Sequence, residues 1–159
     1  MDVSIEPVTE VVEDEFSSWF ALAEPRLRAA LVAEFGADLG RDATAEAVAY
    51  VWEHRDRVLG LANATGYAFR VGQRWARRQR SRRRAGFTAD DTTHSSPGFE
   101  PALQRALAGL STRQRQVVVL CVGYGVTHAE AAQMLGISRS SVQNHAERGL
   151  RHLQNEVGT

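Results

Sequence analysis

The residues with the clearest chemistry lie near the end of this 159-residue chain, where Ser140, Gln143, Asn144, Glu147, Arg148 and Arg151 recur on one side of an apolar stripe of Val142, Ala146, Leu150 and Leu153. The stripe has the four- and three-residue spacing of a helix face. The polar side carries paired donors and acceptors, which is what reading base edges in a DNA major groove requires. Candidate contacts on this helix are Arg139, Ser140, Ser141, Gln143, Asn144 and Arg148. Upstream, Thr127 and Glu130 have the spacing of a capping box, and Ala129, Ala132 and Leu135 are read as the buried stripe of a short helix. Gly136 supplies a sharp turn, Ile137 a plug between helices and Ser138 an N-cap. The pattern predicts a helix-turn-helix. A plain αα-hairpin would share the turn, with its polar face merely solvated.

A second concentration of chemistry precedes residue 85. Residues 61–84 hold 8 arginines and no acid, whereas residues 1–60 hold 13 acids against 5 bases. The formal net charge of zero hides this partition. Fields act over roughly a Debye length of 8 to 10 Å, so the local signs bear on partners and the total does not. Arg70, Arg74, Arg77, Arg78 and Arg80 are candidate phosphate contacts, the bland alternative being a solvated helix end. All 19 basic residues are arginine, which suits bidentate phosphate binding and equally a coding bias.

The elements that must position these residues read as helices throughout. Phe16, Trp19, Phe20, Ala23, Leu27, Leu31 and Phe35 form a helical stripe interrupted by Pro25, which predicts two helices meeting near Glu24 or one kinked helix. Gly36 and Gly40 are read as bracketing a turn. A helix from about Asp42 places Ala47, Val48, Val51, Trp52 and Leu59 inward and Glu46, Glu53 and Asp56 outward. Another, capped by Asn63 or Thr65, carries Tyr67, Val71 and Trp75 four residues apart, a spacing that favours core packing over base stacking for Trp75. Residues 85–101 read as a linker rich in small and polar residues. Leu103, Leu107 and Leu110 mark a short helix, and the capping pair Ser111 and Gln114 opens another that Gly123 and Gly125 end. The expected fold is all-α: a helical domain over 1–84, a flexible linker over 85–101, and a helix-turn-helix domain over 102–159.

Several classes are not expected. The five histidines lack metal-ligand spacing, and neither a phosphate-cradling glycine loop nor a placed nucleophile is present, so no catalytic residue, metal or cofactor is assigned and an enzyme is not expected. Cys121, the single cysteine, sits in an apolar run and reads as a small core residue. Without a long apolar run or a signal-peptide pattern, the expected location is cytoplasmic, with no membrane insertion.

The segments Leu110 to Val117, Gly125 to Ala132, and Leu135 to Ser138 with Val142 resemble region four of bacterial sigma factors of the extracytoplasmic-function group. Phe16 to Leu27, Ala47-Val48 through Val51-Trp52, and Asn63 through Val71 are similar to region two of that family. The resemblance implies a specificity subunit that docks on core RNA polymerase through Asp42, Glu46 and Glu53. It also implies that the helix from Asn63 onward engages the −10 promoter element, that the helix-turn-helix engages the −35 element, and that an anti-sigma factor is a partner. The chain departs from the family pattern at Ala45, at Gln73, Arg74 and Arg78, and at Gln143, Asn144 and His145. Fewer cations in the last helix should weaken phosphate anchoring, while Gln and Asn can pair bidentately with adenine. Two alternatives stay open: a sigma-like accessory protein, and a helix-turn-helix transcriptional regulator that binds DNA without opening promoters.

Overall fold

The computed structural model describes residues 8–85 and 101–158, all of whose regular elements are helices. The N-terminal half comprises α1 (Val8–Phe35), α2 (Ala37–Glu53), the single turn α3 (Arg55–Val58) and α4 (Ala64–Ala85). The C-terminal half comprises α5 (Pro101–Ala108), α6 (Thr112–Val118) running into a π-helical turn (Val119–Gly123), α7 (His128–Leu135) and α8 (Arg139–Val157). Residues 86–100, most of the expected linker, lie outside the described residues. No described helix is long and apolar enough to cross a membrane.

Helix α1 is continuous with Pro25 inside it, so of the two readings, two helices meeting near Glu24 or one helix, the single helix is the one that forms. Gly36 at φ 87° makes the turn into α2 in a conformation that favours glycine. Gly40 is no turn residue. It lies within α2, buried against α1, where a Cβ would come within 2.5 Å of Val32 Cα. Helix α2 starts at Ala37, ahead of Asp42, because its first turns are held by this close approach and by buried Leu39 rather than by a cap. Gly72 plays the matching part in α4, where a Cβ would meet Leu31 Cδ1 at 2.8 Å and the Ala43 carbonyl at 3.1 Å. The inward stripe of α4 is therefore Ala68, Phe69, Gly72 and Ala76, while Tyr67, Val71 and Trp75 are half-buried at its edge. Trp52 and Phe20, read from sequence as core, are 39% and 40% exposed.

The two halves pack together. Leu27, Leu31 and Phe69 share one apolar cluster with Val117, Leu120, Val126 and Leu135. Helix α1 lies against α6, and α4 against α7. Arg115 satisfies the carbonyls left open at the end of α5, donating to Leu107 O at 2.9 Å and Leu110 O at 3.0 Å, and also reaches Ala33 O of α1 at 2.8 Å. Burial lowers the pKa of its guanidinium from the usual value.

Gly40→Ala should lower stability by about 1–3 kcal/mol, the range for overpacking a tight contact, because backbone rather than a flexible side chain blocks the new methyl. Gly123→Ala, with open space around it, should stay within about 0.5 kcal/mol of the parent. Urea unfolding of the two variants compares them directly.

Candidate nucleic-acid interface

The helix-turn-helix is assembled from local chemistry. Thr127 Oγ1 accepts from Glu130 N at 3.2 Å while Glu130 Oε2 accepts from Thr127 N at 2.9 Å, a complete capping box that holds the Glu130 carboxyl below its ordinary pKa. Gly136 takes the left-handed conformation at φ 69° and ends α7. Ser138 Oγ then accepts from Ser141 N at 3.1 Å and starts α8. Ile137 is half-buried against the core, filling the corner as expected. The inward side of α7 is Ala131, Ala132, Met134 and Leu135; Ala129 is exposed. In α8 the buried residues are Val142, Ala146 and Gly149, and Leu150 is 37% exposed. Gly149 is required there because a Cβ would meet Val118 Cγ2 at 2.6 Å.

That packing leaves Arg139, Ser140, Gln143, Asn144, Glu147 and Arg148 exposed on α8. Ser141 is half-buried, and its hydroxyl accepts from Ser138 Oγ at 2.8 Å, so it serves the cap. Gln143 Nε2 donates to Glu147 Oε1 at 3.0 Å, one turn along the helix. Asn144 and Arg148, also one turn apart, complete a polar face of the kind that enters a major groove. Half-buried His145 is held below its ordinary pKa by burial and by the nearby Arg113 and Arg148.

On the other half, Arg70, Gln73, Arg74, Arg77, Arg78 and Arg82 line an open groove of about 540 Å³ along α4. Like charges this close on one helix face repel, and a polyanion lying along them relieves the repulsion. Arg70, Arg74, Arg77 and Arg78 are exposed. Arg80 faces elsewhere: its guanidinium stacks over the Phe35 ring at 4.6 Å and donates to Glu34 O at 3.2 Å. Arg77 pairs with Glu34 Oε1 at 3.3 Å. Asp42, Glu46 and Glu53 are exposed on α2, spaced four and seven residues apart along one side.

Two clusters near these surfaces escaped the sequence reading. At the start of α4, Arg57 donates to Tyr50 Oη at 2.9 Å and to Tyr67 Oη at 3.4 Å; the Tyr50 hydroxyl, then Arg57, lower the Tyr67 pKa. Beneath α4, Glu34 accepts from Gln73 Nε2 at 2.7 Å and from Gln116 Nε2 at 3.0 Å. The available signal was a lone acid, Glu34, in an otherwise apolar stretch of α1, and an amide, Gln116, directly before the Val117 run.

Comparison with known proteins places this geometry. Residues 101–153 match the family Sigma-70, region 4. The whole fold is similar to that of the sigma factor RpoE from Bartonella quintana, determined in complex with the anti-sigma factor NepR, at a TM-score of 0.67. The alignment covers 92% of this chain and 98% of that one at 20% sequence identity, a likeness of fold. No curated protein matches.

The His145 environment predicts a pH dependence. A histidine whose folded pKa is depressed below about 6.5 leaves stability unaffected above that value, and as pH falls through it the unfolded chain takes up the proton first, so stability declines. Urea unfolding at pH 7.5 and 5.5 should therefore show a larger loss for the parent than for His145→Gln.

Proposed function

We propose that this chain is a sigma factor of the extracytoplasmic-function group, which binds core RNA polymerase and directs it to promoters. The observation that carries the reading is the match of residues 101–153 to sigma-70 region 4, on a helix-turn-helix whose α8 keeps Gln143, Asn144 and Arg148 exposed. In this reading residues 1–84 form a region-two-like domain and residues 102–159 a region-four-like domain. Helix α8 reads the −35 element: Gln143 and Asn144 contact base edges, and Arg148, with Arg139 and Ser140, contacts the backbone. The arginine face of α4 holds phosphates at the −10 element, led by Arg70, Arg74 and Arg78, whose side chains are exposed on the groove. Arg77 joins them once released from Glu34. Asp42, Glu46 and Glu53 dock on polymerase, and an anti-sigma factor is a further partner, as for the similar sigma factor. Neither half binds promoter DNA tightly by itself; polymerase joins two weak sites by raising their effective concentration.

Run-off transcription with bacterial core polymerase, after start sites are mapped by forced expression, tests the assignment. The active chain should give two protected patches with strand opening at the downstream one. Two patches without opening would mean an accessory protein, and one compact footprint from the free chain would mean a regulator.

Two sets of substitutions separate the surfaces. Glu46→Arg with Glu53→Arg should abolish most co-purification with core polymerase and leave the helical circular dichroism unchanged. Gln143→Ala or Asn144→Ala should each weaken promoter binding by about 1–3 kcal/mol and relax preference at one base pair. Arg148→Ala should weaken all sequences alike and reduce the salt slope by about one.

A further inference from the structure

Exposed charge is a weak source of affinity. A strip such as Asp42, Glu46 and Glu53 steers a basic partner and raises its association rate, whereas the free energy that keeps two proteins together resides in a few large side chains desolvated at the centre of the contact. Docking through α2 therefore needs an apolar anchor beside the strip. Among the described residues, the exposed large hydrophobic side chains of the N-terminal half are Phe20, Leu22, Trp52 and Leu61. Of these only Trp52 lies on α2, where it directly precedes Glu53.

Trp52 belongs to a preformed aromatic cluster. Phe16 meets the Trp52 ring edge to face at 4.8 Å and stacks with Phe20 at 6.0 Å, so α1 and the end of α2 share one aromatic rim. The Arg55 guanidinium lies over the Trp52 ring at 4.3 Å, and its Nη1 donates to Trp52 O at 2.8 Å. That stack is kept even though Arg55 Nε is buried with no acceptor among the described residues. These contacts hold the ring before a partner arrives, which lessens the side-chain entropy lost on docking. Trp52 is nonetheless 39% and Phe20 40% exposed, apolar area that only a partner would cover. Acids flank the rim on both helices: Glu13 stands one turn before Phe16 on α1, and Glu53 and Glu46 run along α2, all three exposed.

We infer that Phe16, Phe20 and Trp52 are the apolar anchor of the polymerase-docking surface, and that they receive an apolar side chain set between basic residues on the polymerase. The inference rests on the docking role proposed above for α2. In this arrangement the acids set how fast the complex forms and the aromatic rim sets how long it lasts. Arg55 is a positioning residue that holds Trp52 toward the partner.

Binding of the full chain to immobilised bacterial core polymerase, followed in real time at 50 and 300 mM salt, separates the two parts. Phe20→Ala should dissociate about tenfold faster than the parent at both salt concentrations, with an association rate within about twofold of it. Glu46→Gln with Glu53→Gln should instead slow association, more at 50 mM than at 300 mM. Leu22→Ala is the matched control, because Leu22 is 68% exposed but two residues along from Phe20, on the far side of α1. It should behave as the parent. The rate at which bound chain leaves does not depend on the fraction that is folded, so a partly destabilised variant still reports on the anchor. If Phe20→Ala leaves as slowly as the parent, or Leu22→Ala leaves as fast as Phe20→Ala, the anchor is overturned while polymerase docking stands. If the parent chain shows no binding to core polymerase, the sigma factor reading and the anchor fall together.

Discussion

A helix carrying eight arginines can be held in a small protein only through the narrow strip that bears no charge, and the architecture of the N-terminal half follows from that restriction. In α4 the strip is Ala68, Phe69, Gly72 and Ala76, mostly small residues, so the backbone itself comes close to α1 and α2. Close approach replaces side-chain bulk as the source of dispersion contacts. It also explains Gly40 and Gly72 together: each removes the methyl that would push two of the three helices apart. With α4 seated this way, Arg70, Arg74 and Arg78 emerge on the outside, where their mutual repulsion is screened by water and relieved by a polyanion.

The C-terminal half is built on the opposite principle. Three of its helices, α6, α7 and α8, start at caps of their own: Ser111 with Gln114, Thr127 with Glu130, and Ser138. Caps of this kind contribute about 1 kcal/mol each and fix direction as well as stability. The glycine at φ 69° then sets the angle between α7 and α8, and Gly149 lets α8 lie on α6. The recognition face is a by-product of these constraints, since once Val142, Ala146 and Gly149 face inward, Gln143, Asn144 and Arg148 have nowhere to point but outward.

Glu34 joins the two designs. Its carboxylate accepts from Gln73 and Arg77 of α4 and from Gln116 of α6, and its carbonyl accepts from Arg80. A single acid thus selects which cations of α4 are free and which are structural. The exposed acids of α2 are not drawn into this network, so a protein partner can reach Asp42, Glu46 and Glu53 whichever way the halves are arranged.

The local features were legible in the sequence because they depend on residues within a turn of one another. The capping pairs, the turn glycine, the N-cap serine, Arg70, Arg74 and Arg78, and the outward acids of α2 stand where spacing put them, whereas Arg80 turns to Phe35. The likeness to a sigma factor was also readable from residues 110–142 alone. Errors came where burial is decided by a distant partner. Trp52 and Phe20 have the periodicity of core residues, yet they lie beside Phe16 at the rim and stay 39% and 40% exposed; Gly40 resembles a turn, yet serves a helix crossing. Leu150 continues the apolar spacing of α8, but Gly149 is the residue that touches α6. Periodicity identifies a face without saying what will lie against it. The sequence by itself determined the helices, their caps and the charge each presents, since these are set by short-range sterics and hydrogen bonding. Only the tertiary structure decided that α7 lies over the start of α4 and that Glu34 meets Gln116, because contacts between residues 82 positions apart depend on how two separately built surfaces fit.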